Sequence, residues 1–323
     1  MTPPAASVRD RLAPGVWVAL AVGTAVAASV LVGTALPVPL GVAVTRAGAD
    51  VAGVACVGLA LVAVLLPGTG TGATRRALVG VHGTVDRALL VLGSAWVGLV
   101  LLAVLFRAAD AFGRPLGQLA GPEALAWSTR LAAGRGLVLT AGCAAVVLGC
   151  AAARLRDPER VDVRIPLVAA LLGMLTPTVT GHAGSAPDHQ VAVVTAALHA
   201  GAAALWVGGL GGLIVLVARH RVLLEATLPR FSRLAGFCVL TVAVTGVLGA
   251  QVRLQDWGLV LTTGYGLLVV AKAMALTALA GLGGLARRRL AAGRTPVLRW
   301  AGLEVALMAV TLGLAAALTQ TAP

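Results

Sequence analysis

Uncharged runs long enough to cross a bilayer recur throughout this chain. Val16 to Leu36 gives 21 residues without an ionisable side chain, and several later runs reach 18 or more among the 323 residues. A helix needs about 20 apolar residues to span roughly 30 Å of hydrocarbon. Only 11% of the residues are charged and 59% are hydrophobic, whereas a soluble domain carries roughly 25% charge. The implied fold is all-α, a polytopic membrane helical bundle whose immediate partner is the lipid bilayer.

Nine spans are expected, at about 16–36, 50–67, 87–106, 134–153, 165–181, 188–218, 232–252, 262–286 and 300–319. The first is too long for the apolar core of a secretory signal and reads as a retained helix. The connection 107–133 is expected to hold a short interfacial helix, with Trp127 placed as a belt aromatic. Cys56, Cys143, Cys150 and Cys238 all lie inside apolar segments, so an extracellular disulfide framework is not expected.

The net charge of +13 does not point to nucleic acid, because the arginines cluster at the ends of apolar runs. Assigned to alternate sides, one side collects Arg9, Arg11, Arg75, Arg76, Arg87, Arg154, Arg156, Arg160, Arg164, Arg219, Arg221, Arg230, Arg233, Arg287, Arg288, Arg289, Arg294 and Arg299. The other collects Arg46, Arg107, Arg114, Arg130, Arg135 and Arg253. Cytoplasmic loops carry the excess of Lys and Arg, which puts the N-terminus in the cytoplasm and the C-terminus outside. A polar stretch, "RLRDPERVDVR" (154–164), divides the chain. Residues 1–160 form an N-terminal four-helix membrane region, and residues 161–323 a five-helix domain holding four of the five histidines and the single Lys and Tyr.

Within that second half, Thr176 to Ala218 contains no Lys or Arg, as an outward loop and its flanks require. The same stretch holds His182, His189 and His199. Ser185-Ala-Pro-Asp188 reads as a capping box, so the span 188–218 starts near 186. Its outer turn, with His189, projects from the membrane. His199 then lies about 15 Å further in, level with His182 at the top of the preceding helix. Two neutral imidazoles at one depth suit copper, zinc, iron or nickel. The competing reading makes His182 a loop residue and His199 a hydrogen-bonded packing residue. Met174, Met274 and Met308 fall towards mid-membrane, where thioethers either favour Cu(I) or fill gaps in the core. Lys272 and Glu304 lie inside spans, either as a pair fixing two helices or as steps in an ion path. Gly208 and Gly212 form a small-xxx-small pair for close helix approach.

The ordered set "TGHAG", "ALHAGAAALWVGGL", "LPRFSRLAG", "LTTGYGLLVVAKAMAL" and "RRR" resembles the copper resistance D (CopD) family over about Pro166 to Arg289. That resemblance implies a multi-pass protein of the cytoplasmic membrane that handles copper (Cu+ or Cu2+) and performs no catalysis. It marks His182, His199, Trp206, Tyr265 and Lys272, with His189 matched in some relatives. No methionine- or histidine-rich soluble copper domain is present in the sequence. An extracytoplasmic copper-binding protein or an oxidase assembly protein is therefore the expected partner. The expected path runs from His182 and His199, with His189 as entry ligand, inward past Met174. The rival readings are a haem b electron-transfer protein with two axial histidines, and a structural subunit without metal.

Overall fold

The computed structural model describes residues 40–180 and 189–253, and single helical positions at 270, 273, 274, 277, 278, 281, 285 and 288. The expected spans 16–36 and 300–319, and most of 262–286, lie outside the described residues. Among the described residues there is helix and no strand. In chain order come α1 (Leu40–Leu65), α2 (Gly72–Ala111), a 3-10 turn (Leu116–Gln118), α3 (Gly121–Arg130), α4 (Ala132–Arg156) and α5 (Arg164–Thr180). Then follow α6 (His189–Gly212), a π-helical turn (Leu213–Val217) and α7 (Arg221–Arg253). α1, α2, α4, α6 with its π turn, and α7 are each long and apolar enough to cross a membrane, and α5 is a shorter apolar helix.

Three helices are longer than expected, among them α7, which starts at Arg221 where 232 was expected. α1 starts ten residues before position 50, and α2 runs for 40 residues where 87–106 was expected. Uncharged runs mark only the part of a helix that lipid touches, and hydrogen bonding carries a helix past them until the backbone is stopped. α2 is bracketed by glycines at positive φ, Gly72 (+53°) and Gly113 (+61°), a region that other residues enter only at a cost. The short helix expected in 107–133 is α3, with Glu123 accepting the Ala120 N–H at 3.1 Å. Trp127 is not a belt aromatic. It is 6% exposed, turned inward where Gly134 of α4 meets its backbone.

α1 is the central helix, packed against α2, α5 and α6, while α7 lies along α6 and α4 joins α2 to α5. Glycine makes the α1–α6 crossing possible. A Cβ on Gly208 would fall on the Val54 carbonyl and the Gly58 backbone, and one on Gly58 would fall on Gly208. Backbone thus meets backbone, the close approach that small residues allow between membrane helices. Bulky apolar side chains such as Val91, Leu101, Val138, Leu172 and Phe237 stand exposed on the outer surface. Water would penalise that surface and lipid does not.

α5 shows how a backbone fault is repaired inside such a bundle. Pro177 has no N–H, so the carbonyl four residues back, at Gly173, loses its helical donor. The buried Thr140 hydroxyl of α4 lies 3.2 Å from that carbonyl and 2.9 Å from Gly136 O. One proton is shared between them. A cross-helix hydroxyl replaces the missing amide, as the absence of water in the hydrocarbon demands.

Candidate functional site

His199 and Thr245 join α6 to α7. His199 lies ten residues into α6 and Thr245 eight residues before the end of the antiparallel α7, about 15 Å and 12 Å from the respective ends at 1.5 Å per residue. His199 Nδ1 is 2.9 Å from Thr245 Oγ1. Thr245 is 6% exposed, and its hydroxyl donates to Thr241 O at 2.6 Å, with Val242 O at 3.3 Å. Beside it, a Cβ on Gly246 would stand 3.8 Å from His199 Cε1. The half-buried imidazole therefore rests against α7 with one nitrogen committed to a buried hydroxyl.

Met174 points elsewhere. Its sulfur presses against Gly53 of α1, where the indole of Trp96 also sits, and the adjoining Gly173 touches Trp96 and Cys143 Cβ. This is a sulfur–aromatic arrangement in the core, of a kind that commonly fills irregular space. Gly201 faces Leu175 at 3.6 Å, so His199 and Met174 occupy neighbouring levels of α6 and α5. They turn to different partners, α7 for the imidazole and α1–α2 for the thioether. Trp206 is 8% exposed and belongs to the core, and Met274 is 63% exposed. His189 is the first residue of α6. His182, Tyr265, Lys272, Glu304, Met308 and the expected Ser185 cap lie outside the described residues. Among the described residues, no three His, Cys, Asp or Glu side chains converge on one metal position.

Three polar devices were not anticipated from the sequence. Arg154 and Asp86, each side chain 5% exposed, form an ion pair at 3.0 Å. Arg154 also donates to the carbonyls of Pro158 and Val161 at 3.0 and 2.7 Å, tying down the α4–α5 loop. Arg230 of α7 donates to the Leu65 carbonyl at 3.1 Å, a cation on the carbonyl end of α1 where the helix dipole is negative. Phe231, next in the chain, packs onto Gly209 of α6. "LPRFSRLAG" is thus a docking element that seats α7 on α1 and α6. A basic cluster gives no hint of which arginine turns inward. Asp86, an acid placed among the arginines of the more basic side, was the one available signal.

Residues 225–318 match the family model of copper resistance protein D, CopD. The matched stretch takes in nearly all of α7, with Thr245, and also Tyr265, Lys272, Met274, Glu304 and Met308. Met174, His182, His189, His199 and Trp206 precede it, so "TGHAG" and "ALHAGAAALWVGGL" rest on resemblance alone. No significant match is found among curated proteins or among solved structures.

Proposed function

We propose that this protein carries copper across the cytoplasmic membrane, taking it up at the outer face through His199 and His182. The observation that carries this reading is the His199–Thr245 hydrogen bond, because it fastens an imidazole of α6 to the helix that opens the copper resistance protein D match. Imidazole is a good ligand for copper, and an ionisable or polar group within a span usually serves a pathway. In this reading His189 is the entry ligand at the start of α6. Met174 offers a thioether further in, after a turn of its side chain away from Trp96. Trp206 supports α6 from the core, and Tyr265, Lys272, Glu304, Met274 and Met308 line or brace the remaining path.

Nine spans, a cytoplasmic N-terminus and an external C-terminus complete the proposal. Residues 161–323 form the copper-handling domain and 1–160 a membrane region that supports it. The chemistry is ligand exchange without catalysis. An extracytoplasmic copper-binding protein, or an oxidase assembly protein, stands at one end of the path.

Metal analysis and an absorption spectrum of the purified protein test the reading. Wild type should hold copper and show no Soret band. His199→Ala should lose most of it, and His182→Ala added to it should change little, the non-additivity of two groups on one ion. Additive losses, no loss, or a Soret band with no copper would each overturn it.

A further inference from the structure

We propose that Thr245 is a positioning residue for copper, one that fixes His199 in the Nδ1–H tautomer and so presents Nε2 to the metal. The inference rests on the reading of His199 as a copper ligand. It starts from a proton count. Thr245 Oγ1 and Thr241 O are 2.6 Å apart, and two oxygens that close need a hydrogen between them. A carbonyl has none to give, so the hydroxyl proton of Thr245 is spent there. Val242 O, at 3.3 Å, lies on the same side of the helix and draws on the same proton. The 2.9 Å contact to His199 Nδ1 then has to be an N–H donated by the imidazole to a Thr245 lone pair.

A neutral imidazole has one N–H. If Nδ1 carries it, the coordinating lone pair sits on Nε2. Metal-binding histidines are commonly held in this way, by a hydrogen bond from the nitrogen that does not touch the metal. Thr245 is 6% exposed, so bulk water cannot readily replace the acceptor. The bond also restrains rotation of the ring, because Nδ1 has to stay over α7. Less ordering of the ring is then left for the ion to impose when it arrives.

Two measurements on the full-length protein test this. First, 15N-histidine NMR of metal-free protein reads the tautomer, with the His199 signal identified by its loss in His199→Gln. Wild type and Thr245→Ser should show protonated Nδ1 and unprotonated Nε2, whereas Thr245→Val should lose that preference. Second, copper titration should show Thr245→Val weaker by about 10- to 100-fold, the usual effect of removing such an outer partner, and Thr245→Ser close to wild type. An Nε2–H tautomer in wild type overturns the proposal without needing any variant to fold. Full copper affinity in a Thr245→Val protein whose tautomer has changed overturns it too. Wild type with the Nδ1–H tautomer but no affinity for copper instead overturns the copper reading, and the positioning role with it.

Discussion

Arg154 shows what a single side chain can hold in place when it is withdrawn from water. Its guanidinium meets Asp86 of α2 and two carbonyls of the α4–α5 loop, so one residue joins two helices and the turn that follows. The value of such a pair lies mainly in its completeness. Burying two charges costs several kcal/mol per ion, and their attraction with added hydrogen bonds about offsets that. Removing one partner leaves the other charge stranded. Asp86→Ala should therefore destabilise the protein by about 3–5 kcal/mol, seen as an earlier loss of monodisperse protein on heating in detergent. Asp86→Leu combined with Arg154→Met should recover much of the loss, because no buried charge then remains. If the double variant is as unstable as Asp86→Ala, the loop contacts to Pro158 and Val161 matter more than the charge balance.

At the scale of elements, the bundle is organised around the α1–α6 crossing. Gly58 and Gly208 bring the two backbones together, and Gly212 meets Gly58 O and Val62 one turn further along. A methyl at Gly208 has no flexible neighbour to displace, only the Val54 carbonyl and the Gly58 backbone. Gly208→Ala should force the helices apart at a cost of about 1–3 kcal/mol or more, lowering thermal stability and the yield of folded protein. Gly211→Ala, on the same helix with nothing within 4 Å, is the control and should be neutral or slightly stabilising. Equal effects would mean that helix propensity, not the crossing, sets the outcome. The pair Gly208 and Gly212 was legible in the sequence, but its partner helix was not. A small-xxx-small pattern states that something packs closely there, and only the fold shows that the partner is α1 from the other half. The same limit applies to the site. His199 was legible as a polar group at a costly depth, yet its partner Thr245 lies 46 residues away and looks like any threonine in a membrane helix. Helix ends were misjudged because hydropathy registers lipid contact, and the chain stays helical beyond it.

Taken as a whole, the described helices alternate in direction, and their contacts gather the cationic ends together. Arg230, in the first third of α7, reaches the end of α1, and Arg154, near the end of α4, reaches Asp86 in the first half of α2. These ends belong to the arginine-rich set. At the opposite end, Arg46 lies 3.9 Å from Asp50 and Arg114 lies 3.0 Å from Glu123, so two of the cations there have carboxylate neighbours. The His199–Thr245 bond lies towards this second end. We propose, on the positive-inside rule, that the arginine-rich end faces the cytoplasm and His199 lies towards the outside, the orientation that uptake from outside requires. Gln118 and Arg160 are exposed in connections at opposite ends, and the four native cysteines all sit within helices, three of them buried. In intact cells a membrane-impermeant thiol reagent should label Gln118→Cys. It should reach Arg160→Cys only after the membrane is opened. A reporter active only in the cytoplasm, fused after Pro323, should stay silent. The reverse labelling pattern would place His199 near the cytoplasmic face, and the same residues would then have to release copper or receive it from inside.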